Sequence, residues 1–288
     1  MSLVRCTEAE SRERDRRSAL DWEPDLCVPE FVAREQVLQR TAFARRSRVP
    51  WGWVVDGETV SSTETYEVAW PAGRVWLVAS VWTDPDHRGR GHASAMLDAL
   101  AERCAGVPGA AALVLFSDVG PALYERVGFV ALPAVDVVWP ASVGDPDDGP
   151  WERFAESALH TLDPRDPAQL DWQLDRARTR AELRPVRRPS RCGARLPSGA
   201  WMVWADDGHD RELQVLEARV ATVEEWSTLA TAAARTASAA GLGAVVAWDP
   251  ALAVPGERRP RVGKLPMARP LGAARVSGLG PVPRSAWV

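Results

Sequence analysis

Hydrophobic and polar positions change period several times along the chain, and each change marks an element. Residues 8 to 20 are charged with helical spacing, and a second helical run from Pro29 to about Arg46 places Phe31, Val37, Leu38, Thr41 and Ala42 on one face. Trp51 to Val55 and Thr59 to Trp70 are rich in β-branched and aromatic residues, and the Asp56-Gly57 dipeptide between them predicts an antiparallel hairpin. A third strand runs from Arg74 to Thr83, where alternation stops at Asp84-Pro85-Asp86. From Ala93 the period becomes helical, with Ala93, Met96, Leu97, Leu100 and Cys104 forming one apolar stripe that faces a sheet. Ala111 to Phe116 is a short continuous apolar run, as expected of a strand buried on both faces. A brief helix with Pro121 at its start and Gly128 at its end leads to a strand over Phe129 to Trp139.

Asp145 to Pro150 combines turn formers without periodicity and reads as a linker. Beyond it the pattern predicts a helix from Asp166-Pro167 to about Leu183 and a loop rich in arginine and proline from Pro185 to Ser198. A strand pair over Ala200 to Ala205 and Glu212 to Val220 follows, then a helix over Thr222 to Ala240 with a Thr222/Glu225 capping box, and a strand over Ala244 to Trp248. No internal repeat of fixed period is found, and the proline-rich last forty residues read as mostly irregular. The expected organisation is a first domain over 1–142, a linker over 143–150 and a smaller α+β domain over 151–288.

Composition narrows the classes. With 288 residues, 46% hydrophobic and 26% charged, the chain is that of an ordinary globular protein with no apolar run near the roughly 20 residues that span a bilayer. Met1 to Ala9 has no apolar core for export, so a cytoplasmic protein without a membrane partner is expected. Residues 1–140 hold 15 basic and 20 acidic side chains, and the net charge is −4, which argues against nucleic acid as a partner. Cys6, Cys27, Cys104 and Cys192 are scattered without metal-ligand spacing, so neither a metal site nor a disulfide framework is expected, and the thiols read as reduced and mostly buried. All basic residues but Lys264 are arginines, an Arg bias in keeping with a GC-rich genome.

Chemistry concentrates in Val81 to Ala93, VWTDPDHRGRGHA, a Gly-rich turn between a strand and an amphipathic helix. Unpaired N–H groups and the positive dipole end at such a helix start hold phosphate oxygens; Gly89 and Gly91 permit close approach, and Arg88 and Arg90 add charge. A P-loop is excluded because the only lysine is Lys264, and no GxGxxG with a following acidic residue is present.

The run Arg88-Gly89-Arg90-Gly91-His92-Ala93 resembles the R/Q-x-x-G-x-G/A signature of the GCN5-related N-acetyltransferase (GNAT) superfamily, and Ala122 to Phe129 resembles its second motif, a helical Tyr before E-x-x-G-F. The resemblance covers roughly residues 1–140. It implies an α/β fold with a central, mixed, splayed sheet flanked by helices. It also implies acetyl-coenzyme A bound along Val81, Trp82 and Thr83, with its pyrophosphate on the backbone of Arg88, Gly89, Arg90, Gly91, His92 and Ala93. Tyr124 matches the position that protonates the departing thiolate, a role suited to a phenol with a pKa of about 10; the alternative is a packing residue. A looser similarity links Val60 to Tyr66, Asp171-Trp172-Gln173 with Arg176, and Leu265-Pro266-Met267 to the two-domain fungal lysine epsilon-acetyltransferases and their bacterial relatives.

An amine acceptor must lose its proton before attack, so a carboxylate or a water relay is expected nearby. Glu64 is the first candidate for base and substrate contact, on one strand face with Ser62 and Tyr66, unless it is a solvated strand carboxylate. Asp171 and Trp172 flank the apolar stripe of the second domain's first helix; they are candidates for contacting a cationic acceptor and walling its site, or else a dipole-favoured carboxylate and a packed indole. The arginines Arg187, Arg188, Arg191, Arg258, Arg259 and Arg261 read as solvated loop residues, with one of them as a carboxylate clamp in the minority reading. The expected activity is direct acetyl transfer to a primary amine, first a small molecule such as free lysine, then an antibiotic or a protein lysine. A non-catalytic coenzyme-binding module is the alternative, and a homodimer stays open.

Overall fold

The computed structural model describes residues 1–183, 189, 191–206, 211–248, 253–272, 279, 282 and 284–287. Arg187, Arg188 and His209 lie outside the described residues. Two compact units form. One comprises Met1–Pro133, Val262–Gly280 and Trp287–Val288, the other Ala134–Arg261 and Pro281–Ala286.

The first unit is built on a seven-stranded mixed sheet. Its strands are β1 (Ser2–Arg5), β2 (Arg48–Val55), β3 (Glu58–Trp70), β4 (Gly73–Thr83), β5 (Ala110–Ser117), β6 (Val130–Ala131) and β14 (Leu265–Pro270), in the order β1-β2-β3-β4-β5-β14-β6. The Asp56-Gly57 turn joins β2 to β3 with both residues at positive φ, +50° and +87°, as a two-residue hairpin requires. Only β4 and β5 run parallel, and helix α4 (His92–Ala105) makes the crossover between them. Its stripe of Leu97, Leu100, Ala101 and Cys104 packs on Trp76, Val78, Leu113 and Leu115. Each such buried leucine contributes about 1.5–3 kcal/mol.

Helices α1 (Glu8–Trp22), α2 (Val28–Gln39) and α3 (Ala42–Ser47) lie between β1 and β2 in sequence. The helical run expected to continue to Arg46 is interrupted at Thr41, whose side chain caps α3 through the Ala44 amide. The inward face of α1 is polar: Ser11, Arg14, Asp15 and Ser18 are buried there with Ala19. Phe43 of α3 stacks on Tyr66 of β3 with ring centroids 5.5 Å apart.

The second unit contains β7 (Val135–Pro140), β8 (Glu152–Phe154), β9 (Gly193–Arg195), β10 (Trp201–Asp206), β11 (Glu212–Arg219), β12 (Ala244–Trp248) and β13 (Glu257–Pro260). Read from β8, its sheet order is β8-β9-β10-β11-β12-β7-β13, which matches the first sheet position by position, with the single parallel pair at β11/β12. Helix α7 (Val223–Ala239) crosses over between these two strands and packs Trp226, Leu229, Ala230 and Ala233 on one sheet face. Helix α6 (Pro167–Leu183) covers the other face with Leu170, Leu174 and Ala177 against Trp201, Val203 and Leu216.

Three expectations change. The strand expected over Phe129 to Trp139 is two: Val130–Ala131 stays in the first sheet and Val135–Pro140 joins the second, with Pro133 between them. Pro133 has no N–H for a ladder and restricts the residue before it. The last forty residues, expected to be irregular, supply β14, which pairs with β5 from Leu265 opposite Ser117 to Pro270 opposite Ala112. The second half, expected as an α+β domain, is one, and it repeats the strand plan of the first. The units also divide near residues 133 and 261 rather than at Asp145–Pro150.

Candidate active site

The ladder between β4 and β5 runs from Arg74 opposite Ala110 to Val78 opposite Leu115 and stops there. Beyond that point β4 continues as Ala79–Thr83 paired with β3 alone, while Phe116 and Ser117 of β5 pair with β14. The two parallel strands therefore part, leaving a wedge in which, among the described residues, the β5-facing edge of Ala79–Thr83 has no strand partner. A bulge opens at the same level: Glu64 is opposite Ala79 and Ser62 opposite Trp82, so Thr63 faces the extra residue, and Ser80 takes a φ of +52°. The Thr63 hydroxyl holds the kink by donating to the Ala79 carbonyl at 2.8 Å.

Thr83 leads from the wedge into the Gly-rich turn. Gly89 and Gly91 have φ of +76° and +81°, where a side chain is strained, and a Cβ on either would meet nothing within 4 Å. Gly91 is the N-cap of α4, no side chain caps the helix, and its first turn has no acidic residue. The helix start is thus open, positive and approachable by backbone, which fits a diphosphate. Arg90 is exposed, while Arg88 donates to the Thr83 carbonyl at 3.0 Å and to Asp21 at 2.8 Å.

Helix α1 fastens this turn through residues that sequence reasoning passed over. Arg14, Arg17 and Asp21 are spaced so as to share one helix face, the only sequence signal for them. Asp21 accepts from the Trp82 indole at 2.7 Å as well as from Arg88. Arg17 pairs with Asp84 and lies 5.5 Å from the centroid of the Trp82 ring. Trp82 is accordingly buried under α1, whereas Val81 and Thr83 are half-buried.

Glu64 is 3% exposed and pairs with both Arg14 and Arg48, and it accepts from the Tyr66 hydroxyl at 2.8 Å. Burial pushes its carboxyl up, but the two guanidiniums outweigh that and hold it well below the usual carboxylate range. A carboxylate so stabilised is a poor proton acceptor at neutral pH. These ion pairs make Glu64 a buried anchor between α1, β2 and β3 rather than a solvated strand residue.

Tyr124 lies on a one-turn helix α5 (Ala122–Glu125) after Pro121 and is 7% exposed, with its ring edge-on to Phe129 at 5.9 Å. Burial, with the charge of Asp118 adding, pushes its phenol up to about 12. Among the described residues nothing hydrogen-bonds its hydroxyl. It shares the α4 core with Leu97 and Leu100, so Tyr124 and the residues from Val81 to Ala93 belong to the same unit.

Asp171 and Trp172 are on α6 of the second unit. Asp171 is exposed, and partial desolvation of its carboxyl, with the charge of Asp175 adding, pushes its pKa up. Trp172 is buried, with the Arg176 guanidinium 5.7 Å from its ring. Arg261, read as a loop residue, is buried and pairs with Asp136. Among the described residues no group of His, Cys, Asp and Glu is placed to hold a metal ion, and no helix is long and apolar enough to cross a membrane. Cys104 and Cys192 are buried, whereas Cys27 is exposed.

Residues 14–129 match the model of the acetyltransferase (GNAT) family. A lysine acetyltransferase of Yarrowia lipolytica (strain CLIB 122 / E 150) is 24% identical over 304 residues, covering 76% of this chain and 76% of the relative. Among solved structures, a GCN5-related N-acetyltransferase from Kribbella flavida superposes with a TM-score of 0.58 at 18% identity, over 94% of this chain and 71% of that one. A probable N-acyltransferase from Enterococcus faecalis V583 gives 0.61 at 13% identity, over 94% and 72%. A tandem GNAT protein from the clavulanic acid biosynthesis pathway gives 0.53 at 13%, over 95% of this chain and 99% of that one. At these identities the likeness of the solved structures is one of fold, and the tandem architecture agrees with two sheets of one strand plan.

Proposed function

Because the chain carries a GNAT-family N-acetyltransferase domain, we propose that it moves an acetyl group from acetyl-coenzyme A directly to a primary amine, with a small molecule such as free lysine as the leading acceptor. The observation that carries the reading is the wedge between β4 and β5, which opens at the Ser80 bulge and ends at the uncapped start of α4. In this reading the diphosphate takes the amides of the Gly89–Ala93 turn, and the pantetheine supplies partners to the free edge of Ala79–Thr83. The thioester then reaches the bulge.

Transfer requires the neutral amine to attack the thioester carbonyl, forming the C–N bond. The tetrahedral intermediate collapses by breaking the C–S bond, the nitrogen gives up a proton, and the sulfur leaves as a thiolate that gains one. Tyr124 is the donor assigned to that sulfur. A phenol held near 12 stays protonated throughout the physiological range, so the donor is always present. It is a weaker acid than a thiol of pKa about 8.5, so its part is hydrogen-bond donation as charge develops on sulfur, worth most in a desolvated site. No cysteine is required as a covalent carrier. Removal of the amine proton falls to water or to a group other than Glu64.

Lysine as acceptor is supported by the likeness to the lysine acetyltransferase of Yarrowia lipolytica and by the acidic balance of the first half of the chain. The test is thiol release from acetyl-coenzyme A by purified protein with a panel of amines: free lysine, polyamines, aminoglycosides and a lysine-containing peptide. Turnover with lysine supports the reading. Coenzyme binding without turnover on any amine supports a non-catalytic module instead.

A further inference from the structure

The second sheet repeats the first at the position where the proposed coenzyme wedge opens. Its parallel ladder ends at Val215 opposite Ala247, and a bulge follows at Leu216, because Trp204 is opposite Val215 while Val203 is opposite Glu217. The strands β11 and β12 therefore part as β4 and β5 do. What lies there differs. The turn Arg284–Ala286, buried throughout, bridges the two parting strands. On the β11 side the Ser285 hydroxyl donates to Glu217 Oε2 at 3.3 Å. On the β12 side the Arg284 guanidinium sits 4.4 Å from the centroid of the Trp248 ring. From α6, Gln173 Nε2 donates to the carbonyls of Arg284 and Ser285 at 3.3 and 3.2 Å. The other oxygen of Glu217 accepts from the Arg165 amide at 2.8 Å.

The helix start also differs. Between β11 and α7 there is only Val220–Thr222, without glycine, in place of the long turn Asp84–Gly91. Thr222 caps α7 through the Glu225 amide at 3.1 Å, Glu225 accepts from the Ala221 amide at 2.7 Å, and Glu224 and Glu225 stand in the first turn. Two carboxylates at a helix start already capped repel a diphosphate. Glu217 places a third at the bulge.

We propose that the opening of the second sheet is a docking site for the chain's own C-terminal turn, with Glu217 and Gln173 as its anchors, and that it is closed to coenzyme. The second unit is then a transferase-like fold whose cleft holds peptide, and the chain takes one coenzyme. That last count rests on the function proposed above, whereas the docking of the turn does not.

Hydrogen–deuterium exchange on the full chain tests the docking without any ligand. The peptide spanning residues 282–287 exchanges slowly in the wild type, and at least about tenfold faster in Ser285→Ala and in Glu217→Ala, as loss of a hydrogen bond to a charged group implies. Ser285→Ala is the milder change and leaves peptides from α7 as they were. Exchange of residues 282–287 unchanged in both variants overturns the proposal. Calorimetric titration with acetyl-coenzyme A then expects one site in the wild type and none in Gly91→Val. A site that survives in Gly91→Val shows the second cleft to be open and overturns its closure. No binding to the wild type counts against the coenzyme reading of the first unit, and exchange alone then decides the docking.

Discussion

Asp21 accepts a hydrogen bond from the indole of Trp82 at 2.7 Å, and through that bond the end of helix α1 holds the strand that enters the Gly-rich turn. The same carboxylate oxygen takes the Arg88 guanidinium at 2.8 Å, so one residue fixes both ends of the approach to α4. The Arg88 pair is exposed and alone contributes about 0–1 kcal/mol. The indole bond adds about 1 kcal/mol. Asp21→Ala is expected to weaken acetyl-coenzyme A binding by up to about tenfold, with a smaller loss in Asp21→Asn, which still accepts from Trp82. Calorimetric dissociation constants check this, and equal binding by all three proteins would remove Asp21 from the support of the turn.

Glu64 carries the largest expected stability effect. Glu64→Gln leaves Arg14 and Arg48 buried without their shared counter-charge, a loss of about 3–5 kcal/mol, read from urea midpoints. The effect depends on pH with a defined sign. Its folded pKa is depressed below the ordinary 4.5, so its contribution is present above about pH 4.5 and disappears as pH falls through the folded value. The wild type should therefore lose its advantage over Glu64→Gln in acid. Asp15, raised by burial, works in the opposite sense, its contribution present in acid and lost as pH rises. An advantage independent of pH would contradict the buried anchor.

Tyr124→Phe should lower kcat by about 100-fold or more, as removal of one hydrogen-bond donor to developing charge does, with coenzyme affinity retained. Because burial pushes the phenol up to about 12, the wild-type rate should show no alkaline decline from this group up to pH 10. Steady-state kinetics against pH check both. Full activity in Tyr124→Phe would make Tyr124 a packing residue beside Phe129.

Gly91→Val tests the turn itself. A side chain at φ +81° is strained by about 1–3 kcal/mol and would stand in the open space above the α4 amides, so binding of acetyl-coenzyme A should fall below detection while the fold persists. Circular dichroism and calorimetry separate the two outcomes.

What could be read from the chain was local. The Asp56-Gly57 hairpin, the α4 stripe, the glycines at 89 and 91 and the Tyr124 motif all carry their signal within a few residues. The pairing of β14 with β5 joins positions about 150 apart, and nothing in Leu265–Pro270 alone says which strand it meets. The buried face of α1 was hidden for another reason: its inward positions are Ser, Arg and Asp, which a hydrophobic periodicity does not register. The matching strand plans of the two units left no trace as a sequence repeat, because β order depends on alternation and turns, which many sequences satisfy.

Thiol release from acetyl-coenzyme A in the presence of free lysine, followed with wild-type protein and with Tyr124→Phe, tests acetyl transfer most directly. Lysine-dependent release by the wild type, reduced about 100-fold in Tyr124→Phe with coenzyme affinity intact, is the expected result. Tight coenzyme binding with no release on lysine or any other amine would contradict it.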